Sequence, residues 1–297
     1  MTDSCRILLY GNPNSTAPRW PPLRQTFLGQ GFVLGKRFRY VVGDDNNVDY
    51  LFACADGEPL AFGHQVPREK RVVVLMENPS IWMPSAEYLS QFGMVVSPSM
   101  IPLPQGTRLY LSQPGVGWFY GMRFRTDLGL AHVPILEDYM QLDDLAALSM
   151  PPKTRLISCI ASQKGGTSGH NWRIEVAIAL KEYFGDQIDM FGFGWNPIAD
   201  KRIALDNYLH TVVVENEGRE HYWTEKLADA TLGYCNPIYS GAPNVSEYFS
   251  NISGSTIRFG IPSGEFVKAV KNIIDAPVNA IELHERRHLT MYKYNIF

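Results

Sequence analysis

Short apolar runs, each closed by turn residues, dominate the hydrophobic pattern of the chain. Arg6-Ile7-Leu8-Leu9-Tyr10 reads as a buried strand ending in Gly11-Asn12-Pro13-Asn14. Phe38 to Val42, Tyr50 to Cys54, Arg71 to Met76 and Met94 to Val96 follow as further strands. Arg71-Val72-Val73-Val74-Leu75-Met76 suits a strand covered on both faces, because β-branched residues run unbroken with no polar alternation. The pattern from Ile135 to Leu148 predicts an acidic amphipathic helix. Ser149-Met150-Pro151-Pro152-Lys153-Thr154 stops it, since consecutive prolines cannot continue a helix.

Beyond the prolines the alternation is more regular. Strands are predicted over Arg155 to Ala161, Ile188 to Phe193, Thr211 to Val214, Pro237 to Tyr239 and Ser255 to Phe259. Helices are predicted over Trp172 to Phe184, Thr224 to Leu232 and Ser263 to Ile274, with Ser263 as the N-cap of the last. Strands alternating with helices imply doubly wound parallel sheets. Ligands in such sheets bind beyond the carboxyl ends of the strands. The segments to search are therefore Glu77-Asn78-Pro79, Ser162 to Arg173, and Glu215 to Lys226.

At 297 residues the chain suits two domains, placed at 1-150 and 151-297 on either side of the proline pair. Its 45% hydrophobic and 19% charged residues exclude disorder, collagen and a coiled coil. A net charge of −3 argues against a nucleic-acid-binding protein. No apolar run approaches the roughly 18 residues of a membrane helix, and the first residues lack a signal-peptide pattern. The four cysteines, Cys5, Cys54, Cys159 and Cys235, form no CxxC pair, and the cytosol is the default compartment.

Chemistry gathers at the strand ends. Thr224 is a good N-cap and Glu225 suits a first helical turn, whereas Lys226 opposes the positive end of the helix dipole. An anion at that helix start would explain it, with backbone N–H groups and Lys226 holding a phosphate. The alternative is an ordinary surface lysine. Arg173 follows the glycine-rich loop Gln163 to Gly169 and offers bidentate contacts to a diphosphate, or is a surface arginine of an amphipathic helix. The loop is not a P-loop, because Lys164 precedes its glycines. Glu77 follows a buried strand and is either a general base or a polar strand cap. His284 and His288 have helical spacing without the HExxH pattern and read as a solvated face. Asp143-Asp144 and Asp44-Asp45 read as surface or turn residues, and no metal site is expected.

The stretch from Thr211 to Phe249 resembles the donor-binding motif of the α1,3-fucosyltransferases, glycosyltransferase family 10. The matching residues are Glu215-Asn216, then Tyr222-Trp223-Thr224-Glu225-Lys226, then Pro237-Ile238-Tyr239-Ser240-Gly241-Ala242-Pro243. Arg173 stands at the distance of that family's phosphate-binding arginine, and Glu77-Asn78-Pro79 resembles its Glu-x-Pro. Trp223 departs from the usual small aliphatic residue, and Gln163 to Gly169 from the usual Ser-Asn-rich turn.

The resemblance implies an α/β protein of GT-B type, two Rossmann-like domains facing across a cleft. The first would bind the acceptor and the second GDP-fucose, with the C-terminal helix packing back on the first domain. It implies an inverting transfer of fucose to a glycan hydroxyl, with an α1,3-type linkage, by single displacement. Glu77 would be the base. Arg173, Lys226 and the helix start at Thr224 would hold the diphosphate. Glu225 would bind the ribose, and Asn216 and Tyr222 the sugar or phosphate. No metal or other cofactor is expected to be required. The expected location is cytoplasmic, with peripheral contact at the inner membrane as an option. A transferase using another nucleotide sugar, or a non-catalytic carbohydrate-binding relative, are the alternatives. A dinucleotide dehydrogenase is disfavoured, because no GxGxxG follows the first strand.

Overall fold

A computed structural model describes residues 5–10, 24–26, 30–31, 38–41, 47–54, 65–114, 117–126 and 133–295. The chain forms two compact units. The first comprises Met1–Gly117, Met140–Ala146 and Asn295–Phe297, and the second Trp118–Tyr139 and Ala147–Tyr294.

The first unit is built on six parallel strands: β1 (Cys5–Tyr10), β2 (Phe38–Val41), β3 (Tyr50–Cys54), β4 (Arg71–Val74), β5 (Met94–Ser97) and β6 (Arg108–Leu111). Their order is β2-β1-β3-β4-β5-β6, a doubly wound arrangement. The apolar runs form its core, with Leu8, Leu51, Val73, Leu75 and Val95 buried together. The short helix α1 (Ala86–Ser90) adds Tyr88 and Leu89 and is capped by Ser85, whose hydroxyl accepts from the Tyr88 N–H. The predicted strand over Arg71 to Met76 ends at Val74, although the Leu75 N–H still donates to the Val96 carbonyl. Asp44-Asp45 lies outside the described residues.

The predicted helix over Ile135 to Leu148 is not formed as such. Val133–Tyr139 is a strand, β8, paired antiparallel with β7 (Met122–Arg125), and only Leu142–Ala147 is helical, as α2. A cross-strand partner is at hand, with Met122 opposite Tyr139, Phe124 opposite Pro134 and Arg125 opposite Val133. Residues 118–139 precede the proline pair in sequence yet belong to the second unit.

That unit has a four-stranded parallel sheet: β9 (Arg155–Ile160), β10 (Ile188–Phe191), β11 (Tyr208–Val214) and β12 (Asn236–Ser240), in the order β10-β9-β11-β12. Helices α3 (Ser168–Phe184), α4 (Arg202–Leu205), α5 (Glu225–Leu232), α6 (Ser263–Ile274) and α7 (Ala280–Tyr292) complete it. Val176, Leu180, Val212, Ile238, Phe266 and Val270 are buried together between the sheet and α3 and α6. Ser255 to Phe259 is not a strand: a 3-10 turn covers Ser250–Ser255, and Thr256 makes an isolated bridge to Tyr239. Ser263 is not the N-cap of α6 either. Pro262 holds that position, and the Ser263 hydroxyl donates to Glu175 Oε1 at 2.8 Å.

Helix α7 packs on α5, where the Thr231 and Thr290 hydroxyls meet at 2.7 Å. Arg286 and Arg287 are buried in this unit. Arg286 donates to Asn236 and Asn251, and the Arg287 guanidinium lies over the Tyr234 ring. Asn295, just beyond α7, groups with the first unit and donates to the Gln25 carbonyl at 2.6 Å. His284 and His288 are exposed, as the sequence suggested. Cys159 and Cys235 are buried free thiols, and burial pushes each up to about 12, so neither is a ready nucleophile. No described helix is long and apolar enough to cross a membrane.

Candidate functional site

In the second unit the strand order reverses at β9, whose two neighbours β10 and β11 are each reached by a later crossover. Ligands in open α/β sheets bind beyond the carboxyl ends at such a point. Helix α3 starts beyond β9, and α5 starts beyond β11. The first turn of α3 closely approaches the segment that leaves β11. A Cβ added to Gly169 would lie 1.8 Å from the Asn216 carbonyl oxygen, so only glycine lets α3 come this near.

Glu215 is the first residue after β11 and is fully buried. Its Oε1 accepts the Thr224 N–H at 2.9 Å. Its Oε2 accepts the Thr224 hydroxyl at 2.8 Å and Lys226 Nζ at 3.3 Å. The carboxylate thus ties the start of α5 to the end of β11. Thr224 caps α5, its Oγ1 accepting from the Lys226 N–H and, at 3.0 Å, from Nζ. Gly241 makes room for this arrangement: a Cβ there would meet Tyr239 Oη at 2.3 Å and Glu215 Cγ at 2.5 Å.

Lys226 Nζ also lies 3.3 Å from Glu225 Oε1. Burial works against the ammonium, but Glu225 and Glu215 outweigh it and hold its pKa above the ordinary value. Burial likewise works against the Glu225 carboxylate, yet Lys226, Lys201 and the Thr224 hydroxyl lower it to about 2. Both groups are therefore charged at neutral pH. Arg173, in the second turn of α3, is buried, and its Nη1 donates to Asn216 Oδ1 at 2.5 Å. Its Nη2 reaches Ser162 Oγ at 3.5 Å, and its Nε has no partner among the described residues. Burial lowers its pKa, but a guanidinium starts so high that it stays charged.

The intervening loop is held firmly. His221 adopts φ 62°, a strained value for a non-glycine residue, with its N–H donating to Asn244 Oδ1 and its Nδ1 2.7 Å from Tyr248 Oη. Tyr222 is buried beside the loop, within electrostatic reach of Arg173 and Lys226. Trp223 is fully buried among Tyr248, Phe249 and Tyr294, so its departure from the family pattern is a packing matter. Beneath α5, buried Asp229 accepts Lys201 Nζ and the Phe119 and Tyr120 N–H groups.

The structure thus gathers Arg173, Asn216, Thr224, Glu225 and Lys226, with Tyr222 behind them. Glu77 lies in the first unit, exposed beyond the end of β4. It opens a tight turn in which Asn78 is fully buried. Asn78 Oδ1 accepts the Ser80 N–H, and its carbonyl accepts from Ile81 and Trp82. Sequence reasoning passed over Glu215 as a site residue. The signal was a carboxylate directly after seven strand residues of which six are buried. Among the described residues, no three His, Cys, Asp or Glu side chains gather as a metal site would require.

No family model and no curated protein matches the sequence. Solved glycosyltransferase structures resemble it at the level of backbone arrangement. One is an α1,3-fucosyltransferase solved alone, with GDP-fucose and with GDP. These share 18–19% identity with the chain, at TM-scores of 0.48 to 0.49, and cover 98% of this chain and 81% of theirs. A structure of S. aureus TarM in complex with UDP shares 9% identity at a TM-score of 0.41, covering 84% of this chain and 50% of its own.

Proposed function

We propose that this chain is an inverting glycosyltransferase that moves fucose from GDP-fucose to a hydroxyl of a glycan acceptor. One observation carries the reading: Arg173 and Lys226, fixed by Asn216 and Glu215, converge where the start of α3 meets the segment that leaves β11. Two sets of helix N–H groups and two held cations suit a diphosphate. The motif from Glu215 to Pro243 supports guanosine diphosphate and fucose as its particulars.

In this reaction the acceptor oxygen attacks the anomeric carbon as the bond to the β-phosphate oxygen breaks. The electron pair leaves with GDP, and the acceptor proton passes to the Glu77 carboxylate. Negative charge grows on the diphosphate, where Arg173, Lys226 and the Thr224 helix start are aimed. Each such donor contributes on the order of 3 kcal/mol. These cations supply the charge that a divalent ion would otherwise bring, so transfer is expected without added metal. Glu225, ionised and next to Lys226, accepts the ribose hydroxyls, and Asn216 and Tyr222 contact the sugar side.

Calorimetric titration with GDP, GDP-fucose, GDP-mannose and UDP, without added metal, tests this. Binding of GDP, with GDP-fucose preferred over GDP-mannose, is the expected result. UDP binding in its place would move the donor to another nucleotide sugar. No nucleotide binding would overturn the reading.

A further inference from the structure

One titratable group in this site has no role so far. His170 stands in the first turn of α3, three residues before Arg173 and next to the glycine that abuts Asn216. Its ring is pinned from one side: Nδ1 lies 2.6 Å from Thr167 Oγ1, the hydroxyl that also accepts the His170 N–H at 3.2 Å. That contact works in both protonation states. Beside a neutral ring, the threonine hydroxyl donates to Nδ1 and Nε2 carries the proton. Beside a charged ring, Nδ1–H donates to the threonine oxygen, and Nε2–H remains free to serve an anion. The hydroxyl needs only to rotate.

The surroundings are cationic. Arg173 on the same helix, Lys226 from α5 and Lys164 from the loop after β9 all act on the ring, while Glu215 and Glu225 are engaged by Lys226. Burial first, and then these three cations, hold its pKa below the ordinary histidine value. At neutral pH the imidazole is therefore uncharged. A diphosphate placed among the same cations reverses the balance, because opposite charge within about 4–6 Å raises a histidine pKa by roughly one to three units.

We propose that His170 is a proton-linked contact for the diphosphate, neutral in the free protein and drawing a proton from solvent when the diphosphate binds. The inference rests on the reading of this site as a diphosphate site. It makes product GDP, whose β-phosphate has gained a charge, bind more tightly at lower pH. Product release then depends on His170 returning its proton to water.

The experiment is calorimetric titration of wild type and His170→Gln with GDP at pH 7.5, in buffers of low and high ionisation enthalpy, and with inorganic pyrophosphate as a second probe. Glutamine keeps an N–H donor and removes the titration, and the difference between the two proteins cancels the ligands' own protons. Wild type is expected to take up about half a proton more than the variant. Between pH 6.5 and 8.5 the wild-type affinity should also fall about tenfold further than that of the variant. Equal proton counts and parallel pH profiles would overturn the proposal. Proton-linked binding of pyrophosphate without binding of GDP would keep His170 and remove the GDP-fucose reading. Failure of both probes to bind would remove both.

Discussion

After β4 the chain leaves its sheet through Glu77-Asn78, and after β11 it leaves through Glu215-Asn216. Both dipeptides follow valine-rich parallel strands, but their burial is opposite. In the first unit the glutamate is exposed and the asparagine is sealed inside its turn. In the second the glutamate is sealed and the asparagine holds Arg173. In the first, two apolar residues, Leu75 and Met76, separate the last strand residue from the glutamate. In the second there are none. Both glutamates stand an odd number of residues beyond the last strand residue, so alternation along the chain does not separate them; what packs around each does. The inward carboxylate has its oxygens taken by Thr224 and Lys226 and acts as a strut. The outward one is at the surface, where an acceptor hydroxyl can be met. Identical dipeptides thus suit opposite tasks.

Exchanging each glutamate for glutamine breaks the comparison most directly. Glu77→Gln should lower the transfer rate by about 10²- to 10⁴-fold, the range of general-base catalysis, and leave GDP affinity unchanged. Steady-state kinetics with a calorimetric titration would check it, and near wild-type turnover would remove Glu77 as base. Glu215→Gln should act in the reverse sense, because it removes one of the two carboxylates that hold Lys226 and the charge that ties Thr224 to the end of β11. Stability should fall by about 3 kcal/mol, and GDP affinity with it. Urea unfolding would read the first, and an unchanged midpoint would deny the strut.

This pair also marks how far the sequence could be read. The parallel α/β class, most strands of both sheets and the cap at Thr224 follow from apolar runs and turn residues, which are local signals. Arg173 and Lys226 were legible as candidates because a cation at a helix start and an arginine after a glycine loop are each locally odd, and Asn216 only through the resemblance of the Glu215-Asn216 motif. Their convergence was not legible, since it depends on Gly169 approaching Asn216 across 47 positions of sequence (216 − 169). Nor was β8, whose strand form depends on Met122–Arg125 as a partner and overrides an apparently helical pattern. Glu215 looked no more buried than Glu77, because neighbours in space set burial.

Gly169 offers a sharper test of that convergence. Alanine there would place its Cβ against the Asn216 carbonyl, forcing α3 away from the segment that leaves β11. Overpacking of this kind costs about 1–3 kcal/mol. Gly169→Ala should lower both the unfolding midpoint and GDP affinity. Gly264→Ala, in α6, is the control: nothing lies within 4 Å of its added Cβ, so stability should hold or rise by up to about 1 kcal/mol. Similar effects from the two would mean that the approach of α3 to Asn216 does not shape the site.

The smallest effect concerns the strand that delivers Glu215. His210 on β11 is fully buried. Its Nδ1 lies 3.2 Å from Asn236 Nδ2, and its Nε2 has no partner among the described residues. Burial alone lowers its pKa from 6.5 to about 4. Above pH 6.5 the ring is neutral whether the chain is folded or not, and it has no pH-dependent effect. As pH falls, the unfolded chain takes up a proton that the folded one refuses, so stability declines until both forms are charged below about 4. Between pH 7 and pH 5 this group alone should remove about 2 kcal/mol. Urea unfolding at the two pH values, with His210→Gln as reference, isolates the effect, since glutamine carries no titration. A wild-type pH dependence equal to that of the variant would mean the imidazole is hydrated or partnered in solution. The loss as described would instead place an acid-sensitive group on the strand that delivers Glu215, and none of its effect should reach the turn at Glu77.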